Sequence, residues 1–298
     1  MTLDQLRVFV AVAEKLHVTK AAAALAMTQS AASAAVQALE SRLGARLFDR
    51  VGRGIALTEA GRVLLPEAKA VLVQADRAER ALAELQGLSR GTLAVSASQT
   101  IAAYWLPRHL ARFHAAHPGI GLSLSIGNTA EVARAVAHGE ADLGFVEGDV
   151  DDPLLVTVPV GADRLVLVVA SGHPFAGRRE MAPADLLRLD WVLRERGSGT
   201  RQVFEDALRG FGLDPTELSV ALELPSNESV RSAVEAGAGA TVISRLVAEA
   251  GIAAGTLAVL PVAFPERAFA ALRHGDHWRS RAETAFLELI ARCRETSA

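Results

Sequence analysis

Three stretches of the chain set hydroxyls, amides and glycine where a small anion could be held. In "SASQT", Ser98, Gln99 and Thr100 follow an apolar strand-like run; in "GNT", Asn128 and Thr129 follow another; in "ERGSGTR", Ser198, Gly199 and Thr200 open a helical pattern. Glycine lets the backbone approach a ligand closely, while unpaired N–H groups at a helix start favour negative charge. Singly, Ser98, Thr129 or Ser198 would serve as well as a plain helix cap. Together, at the carboxyl ends of strands, they read as one binding shell. Glu147 ends a further strand, where it could order that shell, accept from a protonated ligand or simply face solvent. Arg194, Arg196 and Arg201 offer positive charge that Glu195 dilutes.

A fourth stretch, "AMTQSAASAAVQALESRLG" (Ala26 to Gly44), suits a different chemistry, yet it carries no Lys or Arg from Met27 to Glu40. At 100° per residue, Ala32, Val36, Leu39 and Leu43 form an apolar stripe, and Ser30, Ala34, Gln37 and Ser41 lie opposite with Ser33 to one side. Gln can bond adenine N6/N7, Ser can bond either way, and Ala can touch a thymine methyl. Lys20, Arg46, Arg50 and Arg53 flank the helix and suit phosphates, which position a reader without specifying a sequence. A plain core helix is the alternative. No catalytic pattern stands out. A G-x-S-x-G elbow is missing, "GAGAT" (237–241) lacks dinucleotide spacing, and His274 and His277 have no third ligand nearby. The single Cys293 excludes an intramolecular disulfide and a cysteine-clustered metal site.

The elements that must position these residues follow from periodicity. Leu3, Leu6, Phe9, Val10 and Ala13 mark a first helix. Thr19 is expected to cap a second over Lys20–Ala26, and Thr28 a third from Gln29 to about Arg42, with Gly44 at its left-handed end. "ARLFDRVGRGIALT" reads as two short strands around the Gly52–Gly54 turn. Three helices and a hairpin make a winged helix-turn-helix. From Thr58 to about Leu88 runs one long helix, with Leu64, Leu65, Ala68, Val71, Leu72, Ala75, Leu82 and Leu85 on its apolar side. Such a helix is too long for a head of this size to bury, so a second copy is its expected partner. Strands near 92–97, 121–126, "ADLGFVEG", 164–170, 191–194, 219–224, "ATVIS" and 256–262 then alternate with helices near 103–117, 130–138, from Thr200, and 227–236. The segment 267–274 precedes a last helix over 280–294. That alternation implies a parallel doubly wound sheet.

The 298 residues carry a net charge of −3, unevenly placed: residues 1–90 hold twelve Lys/Arg against nine acids, so the rest is acidic. A mildly basic head on an acidic body fits a polyanion partner for the head alone. The N-terminus mixes charge into its apolar pattern, unlike a signal peptide, and no run approaches the ~18 apolar residues of a membrane span, so a soluble, cytoplasmic protein is expected.

"AAAALAMTQSAASAAVQALESRLGARLFDR…LTEAG" resembles the head of LysR-type transcriptional regulators. "HPGIGLSLSIGNTAEV", "GEADLGFVEG", "SGHPFAG" and "LRERGSGTRQVFE" resemble the co-inducer domain of the branch that regulates carbon-fixation and sulfur-assimilation genes. The resemblance spans nearly the whole chain. It implies an α-helical winged helix-turn-helix head (1–58), a long linker (dimerisation) helix (59–88) and an α/β two-lobed periplasmic-binding-protein-like effector-binding domain (89–298). Within that domain, lobe I takes 89–161 and 265–298, and lobe II 162–264, with crossings near Val160–Asp163 and Pro261–Pro265. The implied DNA-binding residues are Thr19, Lys20, Thr28, Gln29, Ser30, Ser33, Ala34, Gln37, Arg46, Arg50 and Arg53. Family members usually carry Arg or Lys at one of positions 34, 37 or 38; Ala, Gln and Ala stand here, a departure that biases reading toward A·T. Implied partners are double-stranded DNA at a dyad-symmetric promoter site, a small anionic metabolite as effector, and a second copy of the chain. A homotetramer and contact with RNA polymerase are left open. No cofactor, metal or membrane is implied, nor an enzyme. The alternatives are an anion-binding receptor without a DNA role, which the head disfavours, and a small hydrolase, which the missing elbow disfavours.

Overall fold

The computed structural model describes residues 1–52, 54–84 and 91–295. The chain divides into two compact units, Met1–Gln86 and Gly87–Ala298.

In the first unit, α1 (Leu3–Lys15) starts in a reciprocal capping box. Gln5 N donates to Thr2 Oγ1 at 3.2 Å, and Thr2 N donates to Gln5 Oε1 at 3.0 Å. The next helix, α2 (Val18–Ala24), begins earlier than its sequence pattern, and its cap is His17, whose Nδ1 accepts from Lys20 N at 3.4 Å. Thr19 therefore lies inside the helix rather than at its cap. The cause is local: Leu16 takes a left-handed φ of 44°, which ends α1 and leaves His17 extended. Helix α3 (Gln29–Leu43) starts at Thr28, which accepts from Ala31 N, and ends at Gly44 with φ 64°. Strands β1 (Phe48–Val51) and β2 (Gly54–Leu57) pair antiparallel around a tight turn. The long helix α4 (Glu59–Glu84) spans about 39 Å at 1.5 Å per residue. The stretch from Leu85 to Leu88 expected to extend it, and Arg53 of the wing, lie outside the described residues.

Ala32, Val36 and Leu39 of α3 are buried among Leu6, Val8, Phe9, Val12 and Leu47. Leu43, expected on the same stripe, is 42 % exposed because the last turn of α3 runs past that core. It lines instead an apolar groove of about 480 Å³ with Ala45, Leu47, Ala60, Val63 and Leu64. The expected apolar side of α4 is split. Ala68 is buried, and Leu64, Leu65 and Leu72 pack on the unit's own core, whereas Val71 and Leu82 stand in solvent, as does Val63, which lies outside the expected stripe.

The second unit holds β3 (Gly91–Ser98), a π-helical turn (Ile101–Trp105) running into α5 (Leu106–Ala116), β4 (Ile120–Gly127), α6 (Thr129–Ala137) and β5 (Leu143–Glu147). Then come β6 (Leu155–Ala170), β7 (Asp190–Arg194), α7 (Gly199–Gly210), β8 (Ser219–Leu224), α8 (Asn227–Glu235) and β9 (Ala240–Ser244). Last are α9 (Arg245–Ala253), β10 (Leu257–Leu260), β11 (Glu266–His274) and α10 (Arg281–Glu295). The strand order is β4-β3-β5-β11-β6-β9-β7-β8, with β10 on β6. The sheet is mixed, not wholly parallel. β3 with β4 and β5, and β7 with β8 and β9, are parallel; β11 runs antiparallel to β5 and β6, and β6 antiparallel to β9 and β10. β6 begins well before the expected 164. Its first half pairs with β11 and its second with β9, so one continuous strand threads two separate cores. One core gathers Leu93, Phe113, Phe145, Val160, Phe269 and Phe286, and the other Leu165, Leu167, Trp191, Phe204, Val242 and Leu260.

His109 of α5 is 3 % exposed against the Trp105 ring, with centroids 4.4 Å apart, and its Nδ1 has no hydrogen-bond partner. Burial, then the nearby Arg108 and Arg112, push its pKa down to about 4. Between there and the ordinary value of 6.5 the unfolded chain binds a proton that the native chain refuses, so stability falls as pH drops through that window. The expected loss is roughly 3 kcal/mol from this group, at about 1.4 kcal/mol per pKa unit. Denaturant unfolding at stepped pH checks this: His109→Leu should flatten the dependence across the window, and an unchanged slope would refute it.

Candidate functional site

In the second unit, strand ends and helix starts from both cores meet. The ends of β3, β4, β5 and β7 deliver Ser98, Gln99 and Thr100; Asn128 and Thr129; Glu147; and Arg194 with Ser198, Gly199 and Thr200. All of them line one closed polar cavity of about 10 Å³, room for a single water in this arrangement, so a larger ligand requires the lobes to part. The nine residues marked by their sequence context thus come together, joined by Arg194, one of the three nearby arginines. Arg201 does not join them. It donates to Glu205 at 2.8 Å, to Glu223 at 2.5 Å and to the Arg194 carbonyl at 2.9 Å.

The capping alternative can be judged atom by atom. Asn128 is the cap of α6, accepting from Glu131 N at 3.0 Å, so that oxygen is committed. Ser198 makes no side-chain cap bond at the start of α7, and Thr129 donates to the Glu147 carbonyl at 3.4 Å instead of capping. Ser98 Oγ is buried with no hydrogen-bond partner. The first-turn N–H groups of α7 therefore lack a side-chain cap where they meet the cavity. Gly199 is required by this approach, because a Cβ there would fall 2.5 Å from both the Glu147 carbonyl oxygen and Thr129 Oγ1.

Bonds close the cavity from both sides. Gln99 Nε2 donates to the Pro225 carbonyl at 2.7 Å, while its Oε1 accepts from Asn227 N at 3.0 Å. Asn227 Nδ2 donates to Thr100 Oγ1 at 3.0 Å, Asn128 Nδ2 to Glu195 at 3.3 Å, and Ala130 N to the Gly197 carbonyl at 3.3 Å. Arg194, 5 % exposed, donates twice to Glu195 at 2.8 Å and to Asn227 Oδ1 at 2.5 Å. Burial pulls the Glu195 carboxyl upward, but bonds and charge from Arg194, helped by Asn128, outweigh it and hold the group below its usual range.

Beside the cavity lies a hub that sequence reasoning missed. Arg267 on β11 donates to Asp163 Oδ2 at 3.0 and 2.6 Å and to Thr200 Oγ1 at 3.0 Å, with Glu147 at 3.9 Å. Ser244 Oγ donates to the other Asp163 oxygen at 3.0 Å. Asn227, too, was visible only as a helix residue. No local signal marks either; each becomes special through partners far along the chain.

In the first unit, Thr19, Lys20, Thr28, Gln29, Ser30, Ala34, Gln37, Arg46 and Arg50 are exposed, and Ser33 is half-buried. Thr28 and Ser30 share a bond at 3.0 Å, and Gln29 Nε2 donates to Ser33 Oγ at 3.3 Å, which steadies the start of α3. The α3 face opposite the core is thus polar and open, with Gln37 at its middle. Next to it, Thr19 and Arg50 border a cleft of about 250 Å³ with His17, Gly52 and Gly54, between α2 and the hairpin. A cation and a hydroxyl at such a cleft suit a phosphate.

A winged helix-turn-helix unit followed by a two-lobed α/β unit with a polar interlobe cavity defines a ligand-responsive DNA-binding regulator. The family comparison agrees. Residues 3–62 match the bacterial regulatory helix-turn-helix protein, lysR family, and residues 86–294 match the LysR substrate binding domain. The chain belongs to the LysR family of transcriptional regulators. It is 37 % identical over 290 residues to the HTH-type transcriptional regulator YeiE of Escherichia coli K12, covering 97 % of this chain and 96 % of that protein. Against the probable RuBisCO transcriptional regulator of Synechocystis the identity is 34 % over 294 residues, with 97 % and 85 % covered. This places it near the carbon-fixation branch. Among solved structures, the Synechocystis CcmR regulatory domain in complex with 2-PG aligns at TM-score 0.62 and 28 % identity, over 68 % of this chain and 97 % of that one. Among the described residues no helix is long and apolar enough to cross a membrane.

Proposed function

We propose that this regulator acts in the cytoplasm as a homodimer on a dyad-symmetric promoter site, and that a small anionic metabolite in the cavity between its lobes switches it. In this reading residues 1–58 bind DNA through α3 and the cleft beside the hairpin, 59–88 dimerise, and 89–298 sense the effector with lobes divided near 161 and 265. The observation that carries the effector assignment is the uncommitted donor set: Ser98 and Ser198 hydroxyls not used as caps, at the uncapped start of α7. The CcmR structure, bound to 2-PG, supports an anion in the corresponding domain. A ligand can shift the lobes only by its difference in affinity for their arrangements.

Two variants test the assignment in parallel. Screening by thermal shift with 2-phosphoglycolate, inorganic phosphate and sulfate comes first, since saturation at 100 times the dissociation constant adds about 2.7 kcal/mol. Thr100→Ala should abolish that stabilisation and leave ligand-free DNA binding intact. Gln37→Ala should keep the stabilisation and relax selection at one base position by about 1–3 kcal/mol. Full stabilisation of Thr100→Ala would place the effector elsewhere, and an unchanged selection profile for Gln37→Ala would remove α3 as the reader.

A further inference from the structure

Among the described residues three polar groups of the cavity make no hydrogen bond: the hydroxyls of Ser98 and Ser198, and the Glu147 carboxylate, which is 3 % exposed. Its ion-pair partner, Arg267 Nη2, stands 3.9 Å away, beyond hydrogen-bond reach. A carboxylate so placed needs donors.

The neighbouring hydroxyls have the opposite character. Thr100 Oγ1 accepts from Asn227 Nδ2, and Thr200 Oγ1 accepts from Arg267 Nη1, both at 3.0 Å. A hydroxyl that accepts from a fixed donor has its own proton to give. With the uncapped first turn of α7, the cavity offers donors on one side and a lone acceptor on the other.

We infer that the cavity selects an anion that still has an O–H to give, its charged oxygens meeting Thr100, Thr200 and the start of α7 and its O–H donating to Glu147. This rests on the cavity being the effector site. A fully deprotonated anion would leave Glu147 without a donor and set like charges together in a buried space. An ammonium donor meets Arg267 beside the same carboxylate. A neutral O–H satisfies the acceptor with neither penalty. Its source is either a retained acid proton or an alcohol next to the anionic group.

Calorimetry on the full-length protein at neutral pH, with five probes, tests this. Inorganic phosphate keeps an O–H and sulfate has none; glycolate has a hydroxyl and acetate has none; glycine offers an ammonium. Phosphate should exceed sulfate, or glycolate exceed acetate, by at least about tenfold in affinity, as for an analogue that strands a buried acceptor. The pair that discriminates names the source of the O–H. Glu147→Gln should bring the preferred and unpreferred probes together, and the comparison in the unaltered protein stands even if that variant fails to fold. Sulfate matching phosphate with acetate matching glycolate, glycine outbinding glycolate, or a preference unchanged in Glu147→Gln would each overturn the inference. Thr100→Ala separates it from the reading beneath. Binding of every probe undisturbed by Thr100→Ala removes the cavity as the site. Binding lost there, but without O–H preference in the unaltered protein, removes only the role of Glu147. Silence from all five probes overturns both.

Discussion

Arg267→Ala is expected to destabilise the second unit by about 3–5 kcal/mol, the cost of breaking a buried ion pair from one side. The guanidinium is 2 % exposed, as is the Asp163 side chain that it grips, and Glu147 is 3 % exposed. Without Arg267, two carboxylates remain out of water with only the Ser244 hydroxyl between them and no partner. Urea unfolding followed by a probe in this unit would show a lower midpoint at unchanged slope. Arg267→Met combined with Asp163→Asn should recover part of the loss, because neutral groups of similar volume leave less charge stranded. A cost below about 1 kcal/mol for the single change would mean that water reaches the carboxylates. Closure of the cavity would then not be the arrangement that prevails in solution.

Val63→Glu with Leu82→Glu should turn a dimer into a monomer and lower affinity for a two-half-site DNA by about 10²–10⁴-fold, the avidity lost when two linked heads separate. Both positions lie on α4 and are 66 % and 68 % exposed, so their replacement leaves the core of the first unit intact. Val63 also lines the apolar groove beside Leu43, a surface that an isolated chain leaves wet. Light scattering reads the assembly and gel shift reads the affinity. A variant that stayed dimeric would move the self-association surface off α4, and a monomer that bound the paired site undiminished would remove the need for two heads.

The two expected results differ in how far the sequence reveals them. The apolar excess of α4 is visible in its periodicity, but which residues stay exposed is not. Ala68 and Leu72 satisfy the same spacing as Val71 and Leu82, and only the packing of α1 against the helix separates them. Nothing in the sequence around Arg267 distinguishes it from other arginines.

What the sequence determined by itself is what depends on a few neighbouring residues. Thr28 three positions before Ala31 N, Gly44 at a left-handed helix end, and the Val51–Gly54 hairpin are local solutions to unpaired N–H groups or to a reversal of direction. That the nine marked residues line one cavity was legible for the same reason, since eight of them sit where a strand hands over to a helix, Glu147 ends β5, and parallel topology sends such places to one edge. Contacts between distant segments were settled by the tertiary structure alone. Arg267 meets Asp163 because β11 returns antiparallel to β6 in the register that sets those two side by side, and it reaches Thr200 because α7 starts above that pair. Strand direction leaves no mark in a period-two pattern, so neither the mixed sheet nor the charge hub beside the cavity could be read from the pattern. Even the cap of α2 turned on the bend at Leu16 that presents His17 rather than Thr19. A buried ion pair acquires its partners only when the chain closes on itself, and that closure decides which hydroxyls in the cavity have a proton to give.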